Sequence, residues 1–152
     1  MDLTGLYQEI ILDHYKHPRG KRVLDAPLAS AHHVNPTCGD EVTVEVAADD
    51  QGNLIIGYQG QGCSISQASA SVMSELLEGT SSENSVIVRE AFVAMMHSQG
   101  HSDPDEDVIG DGVAFAGVSK YPARVKCALL PWMALQDAQI KAGLMAQEEK
   151  TR

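Results

Sequence analysis

Three cysteines and one aspartate are the residues of this chain best suited to metal or sulfur chemistry. Cys38 and Asp40 flank Gly39 in the stretch NPTCGDEV, Cys63 follows the glycine-rich stretch GYQGQG, and Cys127 lies towards the carboxyl end. Zinc sites often use two cysteines separated by two other residues, whereas here the donor nearest to Cys38 in the sequence is a carboxylate. Three thiolates and a carboxylate can hold zinc tetrahedrally, and the thiolates also suit an iron–sulfur cluster.

Each cysteine alone has a simpler interpretation as a small buried apolar side chain. Spacing alone favours that interpretation for Cys127, but not for Cys63 and Cys38, whose neighbours are small or polar. Three basic residues surround the third cysteine: Lys120, Arg124 and Lys126. They either stabilise thiolates or merely solvate the start of a helix, and the spacing favours the two interpretations equally.

Histidines suggest two weaker possibilities. His97, His101 and Asp103 could form a second metal site, but a polar loop produces such a grouping by chance. A cysteine hydrolase could use one of the first two cysteines with His32 or His33 as the base. No hydrolase signature surrounds these residues, so this interpretation ranks last.

Apolar periodicity predicts the elements that position the four candidates. Residues 3–15 repeat at helical spacing, and 21–37 indicate an extended connection into the first cysteine. Alternating valines at 42–46 and the apolar run 54–60, separated by the turn residues ADDQGN, predict a β-hairpin. Cys63 then lies between the second strand and a helix.

The remaining pattern is mainly helical. A capping box formed by Ser64 and Gln67 predicts a helix that ends at Gly79, and a further helix is expected from residue 81 or 82 to about 97. The acidic, glycine-rich stretch 97–112 indicates a surface loop. The last helix contains Pro131, which must lie in its first turn or kink it.

Composition restricts the class of protein. The 152 residues fit a single domain, 1–152, and the net charge of −10 argues against nucleic acid or an anionic membrane as a partner. No apolar run approaches the ~20 residues of a spanning helix, and the amino terminus lacks the pattern of a signal peptide. Three scattered cysteines do not suggest a disulfide framework. We therefore expect a cytoplasmic protein.

The motifs NPTCGDEV, GQGCSISQASASVMSE and YPARVKCALLPWMAL, with the helical LYQEIILDHYKHPRG before them, resemble the NifU/IscU-like iron–sulfur assembly family. The resemblance covers nearly the whole chain. Two features favour the SufU branch: Lys126 stands before the third cysteine, where the scaffold branch has histidine, and residues 97–121 resemble the insertion that SufU-like proteins carry. The resemblance implies an α+β fold with an antiparallel sheet of about three strands packed against several helices, and a frayed tail at 146–152.

The resemblance also implies a function. Cys38, Asp40, Cys63 and Cys127 would bind zinc, and the protein would be a sulfurtransferase that accepts persulfide sulfur on Cys38 from a SufS-like, PLP-dependent cysteine desulfurase. A downstream iron–sulfur scaffold would receive the sulfur. Two alternatives stay open: a scaffold that assembles an iron–sulfur cluster on the same cysteines, and a structural zinc module that binds a partner.

Overall fold

The computed structural model describes residues 4–146, which form a three-stranded antiparallel sheet covered by helices. In chain order the elements are α1 (Thr4–Lys16), β1 (Ala29–Asn35), β2 (Asp40–Ala48), β3 (Leu54–Gln61), α2 (Ser64–Leu77), α3 (Ser82–Met96), α4 (Glu106–Ile109), a 3₁₀ helix (Gly110–Lys120) and α5 (Pro122–Lys141). The predicted α+β class with a small sheet is confirmed. The predicted frayed tail lies outside the described residues apart from residue 146.

The sheet has the order β1-β2-β3, so β2 is the central strand. The alternating valines of β2, Val42, Val44 and Val46, are buried, and α5 packs against β1 and β2. Val44 lies opposite Tyr58 of β3, as the predicted hairpin requires. Because side chains alternate between the faces of a strand, this register places the apolar residues of β2 in the core.

The first strand corrects the sequence analysis, which gave 21–37 only as an extended connection. Residues Ala29–Asn35 pair with β2 as β1. Ala31 and Asn35 are buried, whereas the remaining five positions of this strand are exposed or half-buried. The apolar alternation that predicts a strand is therefore weak here, and pairing with β2 supplies the order.

The helices that follow the sheet begin and end largely as predicted. Helix α2 ends at Leu77, just before Gly79, whose φ of +79° suits a residue without a side chain. The Ser81 side chain caps α3 by accepting from the Asn84 N–H. The predicted capping box is wrong, because Cys63 is the N-cap of α2 and its side chain makes no capping bond.

The segment 97–121 is more structured than the predicted surface loop. It contains α4 and the 3₁₀ helix, and the side chains of Ile109, Val113 and Phe115 are buried. The Phe115 ring meets Phe92 of α3 edge-on at a centroid distance of 5.8 Å. Its acidic and glycine-rich composition is typical of loops, but these few apolar residues anchor the segment to the core.

Helix α5 begins at Pro122 and continues through Pro131, which excludes the first turn, one of the two alternatives that the sequence left open. Pro131 is buried, and the next residue, Trp132, stacks on Phe92 at 4.5 Å. Since proline has no N–H, the carbonyl of Cys127 lacks its usual helical donor. Among the described helices, none is long and apolar enough to cross a membrane.

Candidate metal centre

The loop between β1 and β2 presents the first cysteine to solvent. The N–H groups of Cys38 and Gly39 both donate to the Asn35 carbonyl, at 3.2 and 3.0 Å, which closes a tight turn. Gly39 has a φ of +71°, a conformation that residues with a side chain rarely adopt. Cys38 is exposed at this turn, whereas Asp40, the first residue of β2, is only 1% exposed.

Asp40 connects the loop to the start of α2. Its Oδ1 accepts from the Cys63 N–H at 2.7 Å, and its Oδ2 lies 3.6 Å from Cys63 Sγ. Gly62 makes this approach possible, because a Cβ at that position would overlap Asp40 Oδ1. A carboxylate therefore takes the place of a capping side chain at this helix end.

The third cysteine is placed by α5. Cys127 is 1% exposed, and its Sγ lies 3.5 Å from Cys38 Sγ and 3.9 Å from Asn35 Nδ2. Burial raises the pKa of the Cys127 thiol, and the neighbouring Asp40 and the two other thiols raise it further. Burial and the neighbouring groups thus both disfavour the negatively charged thiolate of Cys127.

These contacts bring all four predicted residues to one end of the molecule. The donor atoms of Cys38, Asp40 and Cys127 lie within 4.8 Å of one another. Cys63 stands at the edge of this group, in contact with Asp40. Zinc ligands in a tetrahedron with bonds of about 2.1–2.3 Å lie about 3.5–3.8 Å apart, and the measured 3.5 and 3.6 Å agree with that spacing. The residue types and these two distances therefore suit zinc, while Cys63 lies outside the compact group of three donors.

Positive charge near the centre comes from exposed side chains. Lys120, Arg124 and Lys126 are all exposed, and within residues 4–146 no hydrogen bond or ion pair links them to the cysteines or to Asp40. Lys120 and Arg124 line a groove of about 710 Å³ between α1, the 3₁₀ helix and the start of α5. The geometry supports solvation of the helix start more directly than pairing with thiolates.

The histidines predicted as possible site residues lie elsewhere. His32 Nδ1 is 2.8 Å from Thr43 Oγ1, and His33 Nε2 is 3.1 Å from Asp137 Oδ2. In the described part of the chain neither imidazole reaches a thiol, so the geometry gives no support to a cysteine hydrolase. His97, His101 and Asp103 do not form a metal-binding group there either.

Two more residues shape the centre: sequence reasoning missed Asn35, and it gave Gly62 only as one of the glycines before Cys63 that allow a close backbone approach. Asn35 closes the loop that carries Cys38 and also reaches Cys127, while Gly62 leaves space for the carboxylate of Asp40. Their nearness to cysteine was the available signal. It did not reveal contacts with residues far away in the sequence.

Residues 6–128 match the family described as "NifU-like N terminal domain", which is more than half of the chain. The chain belongs to this family. Its membership confirms the family predicted from the three cysteine motifs and the helical stretch before them.

Several relatives share nearly the full length of the chain. It is 41% identical over 142 residues to "Zinc-dependent sulfurtransferase SufU" of Bacillus subtilis, covering 92% of this chain and 93% of that protein. It is 37% identical over 145 residues to "Iron-sulfur cluster assembly scaffold protein IscU" of Streptococcus pyogenes, covering 95% and 89%. The structure of a NifU-like protein from Brucella abortus matches with a TM-score of 0.80 at 26% identity, covering 95% and 99%.

Proposed function

We propose that this protein is a zinc-dependent sulfurtransferase of iron–sulfur cluster biogenesis. The observation that carries the proposal is the convergence of an exposed Cys38 with a buried Cys127 and Asp40, beside Cys63 at a helix start. The 41% identity to a relative named a zinc-dependent sulfurtransferase supports the same assignment.

Zinc in this proposal is held by Cys38, Asp40, Cys63 and Cys127. Bound zinc would keep the thiols as thiolates, including Cys127, where burial and the neighbouring groups raise the thiol pKa. Cys63 and Cys127 are fixed by α2 and α5, and Asp40 by its bond to a backbone N–H. Cys38 lies on an exposed turn, so it is the donor with most freedom to react.

Cys38 accepts the sulfur in the proposed reaction. Its thiolate attacks the terminal sulfur of a persulfide on the donor protein, forming a new S–S bond as the donor's S–S bond breaks. The donor leaves as a thiolate, and Cys38 becomes a persulfide, with no net oxidation or reduction. Transfer to the next acceptor repeats this exchange with Cys38 as the leaving thiolate.

The donor we propose is a PLP-dependent cysteine desulfurase, and the acceptor is a downstream iron–sulfur scaffold. The groove of about 710 Å³ beside the cysteines offers a docking surface for the desulfurase. It is lined by apolar residues of α1 and the 3₁₀ helix, among them Tyr7, Leu12 and Val118, with Lys120 and Arg124 at its edge. Leu12 is 46% exposed, so partner binding would remove apolar surface from water.

The test combines metal analysis of the anaerobically purified full chain with desulfurase turnover, measured as alanine and sulfide release. We expect a single zinc ion per chain and a stimulation of turnover that disappears in Cys38→Ala. Thr37→Ala is the matched control, because Thr37 is exposed on the same turn and carries no thiol. Circular dichroism must show that both variants keep the fold. Equal stimulation by Cys38→Ala and wild type would refute the role of Cys38.

A cluster assembly scaffold is the second candidate, favoured by the 37% identity to a relative named for that function. It predicts bound iron and acid-labile sulfide after anaerobic reconstitution, visible absorbance, and no stimulation of the desulfurase. A structural zinc module predicts zinc without stimulation by the wild type. The same pair of measurements therefore separates all three functions.

A further inference from the structure

A second group of possible metal ligands lies away from the cysteines, where three elements meet. His14 of α1, Glu75 of α2 and Asp111 of the 3₁₀ helix place one ligand atom each within 4.8 Å of the others. His14 Nε2 is 2.8 Å from Asp111 Oδ2 and 3.2 Å from Glu75 Oε2. In the sequence, His14 was part of the helical repeat over residues 3–15 and was not singled out as a ligand.

The imidazole of His14 is held rigidly. Its side chain is fully buried, and Nδ1 lies 2.7 Å from the hydroxyl of Ser71 on α2. The carboxylates of Glu75 and Asp111 are 46% and 44% exposed, so they can adjust their positions. A fixed nitrogen donor with two adjustable oxygen donors is a ligand set that divalent metal ions accept.

The Ser71 hydroxyl, which contacts Nδ1 of His14, is itself held by a second hydrogen bond. The Ser71 hydroxyl accepts from the Arg19 N–H at 2.8 Å, which leaves it one acceptor position and its own hydrogen. Ser71 can therefore either accept from an Nδ1–H of His14 or donate to an unprotonated Nδ1.

Metal binding through Nε2 requires the tautomer in which Ser71 accepts from the Nδ1–H of His14 and the Nε2 lone pair faces the two carboxylates. This is the tautomer in which a histidine binds metal through Nε2 while its other nitrogen is held by a neighbouring group.

We propose that His14, Glu75 and Asp111 form a binding site for a divalent transition-metal ion such as Mn²⁺ or Fe²⁺, separate from the thiol centre. Two carboxylates and one divalent ion sum to zero charge. Metal bonds of about 2.0–2.2 Å separate neighbouring ligands by about 3.0–3.5 Å, so the Glu75 contact already has the required length. The Asp111 contact must lengthen by a few tenths of an ångström.

Other charged groups near the site are Asp13, which is within electrostatic reach of His14, and Arg19, which is within reach of Glu75 and Asp111. Its guanidinium donates to Asp13 and to the His17 carbonyl rather than to either of them. The two carboxylates therefore face the imidazole without a direct bond from this arginine. In the absence of metal, an imidazolium between two carboxylates is the arrangement that competes with the proposed site.

The test is Mn²⁺ binding to the full chain loaded with one equivalent of zinc and no excess, which the thiolate donors of the first centre take up. Mn²⁺ prefers oxygen and nitrogen donors, so it should leave the thiolates occupied by zinc. Electron paramagnetic resonance measures free and bound Mn²⁺, and electron spin echo modulation detects a bound nitrogen. We expect a single Mn²⁺ per chain, a ¹⁴N modulation from imidazole, and at least about tenfold weaker binding in Asp111→Asn and in Glu75→Gln.

Glu106→Gln is the matched control, because Glu106 is an exposed acid of the same segment outside the proposed site. It should bind Mn²⁺ like the wild type. If Glu106→Gln lost as much Mn²⁺ affinity as Asp111→Asn, binding would be due to diffuse negative charge, which would overturn the proposal. Absence of Mn²⁺ binding to the zinc-loaded wild type, or binding without the nitrogen signal, would overturn it as well. Because Asp111 and Glu75 are half exposed, both variants should fold, which circular dichroism checks.

Discussion

Replacement of Gly62 by alanine tests whether the carboxylate of Asp40 organises the centre. Gly62 has a φ of +148°, and an added Cβ would overlap Asp40 Oδ1 and lie 2.9 Å from the Asp40 Cα. The change therefore strains the backbone and displaces the acceptor of the Cys63 N–H. Backbone strain of this kind costs about 1–3 kcal/mol, and a hydrogen bond to a charged group is worth about 1.5–3 kcal/mol.

We expect Gly62→Ala to lower the free energy of unfolding by about 3–5 kcal/mol, a large part of the about 5–15 kcal/mol typical of a domain. Two alanine substitutions calibrate this value. Gly39 has a φ of +71°, but no atom lies within 4 Å of a Cβ added there, so Gly39→Ala should lower the free energy of unfolding by only about 1–2 kcal/mol. Gly117→Ala meets no atom within 4 Å and has no positive φ, so it should change stability by less than about 0.5 kcal/mol.

The assay is urea unfolding of the metal-free protein under reducing conditions, which removes any contribution from bound metal. With a slope of about 2 kcal/mol per molar urea, the Gly62→Ala midpoint should fall by about 2 M. A midpoint within experimental error of that of Gly39→Ala would refute the reasoning. It would mean that the Asp40 carboxylate adds nothing beyond the backbone conformation at Gly62.

Three further predictions follow from exposure and charge. In the metal-free protein, iodoacetamide should alkylate the exposed Cys38 before the 1% exposed Cys127, as followed by peptide mass spectrometry; alkylation in the reverse order would contradict the placement of the two thiols. Leu12→Glu in the groove should raise the concentration of this protein needed for half-maximal desulfurase stimulation at least about tenfold, because it puts a charge on apolar surface. Ile87→Glu, at a position 60% exposed on α3, should not. Equal effects of the two variants would exclude the groove as the docking surface. Asp137→Asn should destabilise the protein slightly at neutral pH, because hydrogen bonding to His33 of β1 holds the Asp137 pKa below 3.8. The carboxylate's contribution to stability is lost as pH falls through this lowered pKa. A difference in unfolding free energy between variant and wild type that persists at about pH 2 would contradict the prediction.

The sequence predicted those elements whose signal is local. Alternating valines identified β2, and helical spacing with a glycine stop identified α2, because each pattern is complete within the element. Strand β1 was missed because its two buried positions, Ala31 and Asn35, do not give the apolar alternation that predicts a strand. Pairing with β2 orders it instead. The 3₁₀ helix was missed because its order depends on Phe115 meeting Phe92, a contact between distant parts of the chain.

The prediction of the four ligands also depended on both local and long-range features. Residue type and position at element ends selected them, since cysteines beside glycine and aspartate are unusual in a core. That they converge depends on the sheet topology, which brings the start of β2 next to the end of β3 and sets α5 across β1 and β2. Spacing within the sequence contains no information on those distances, so the resemblance to a family was needed to predict them.

In the proposed function, the different anchoring of the four residues would let the same donor set hold a metal and still exchange sulfur. Cys127 is buried on α5, Cys63 is fixed at the N-cap of α2, and Asp40 uses Oδ1 for a backbone N–H while Oδ2 faces the thiols. Cys38 instead lies exposed on a turn closed by two bonds to a single carbonyl, that of Asn35. Detachment of Cys38 from a metal would leave three fixed donors in place, so the centre could persist through each transfer. A purely structural zinc site gains nothing from such an arrangement, because every exposed, loosely held ligand weakens it.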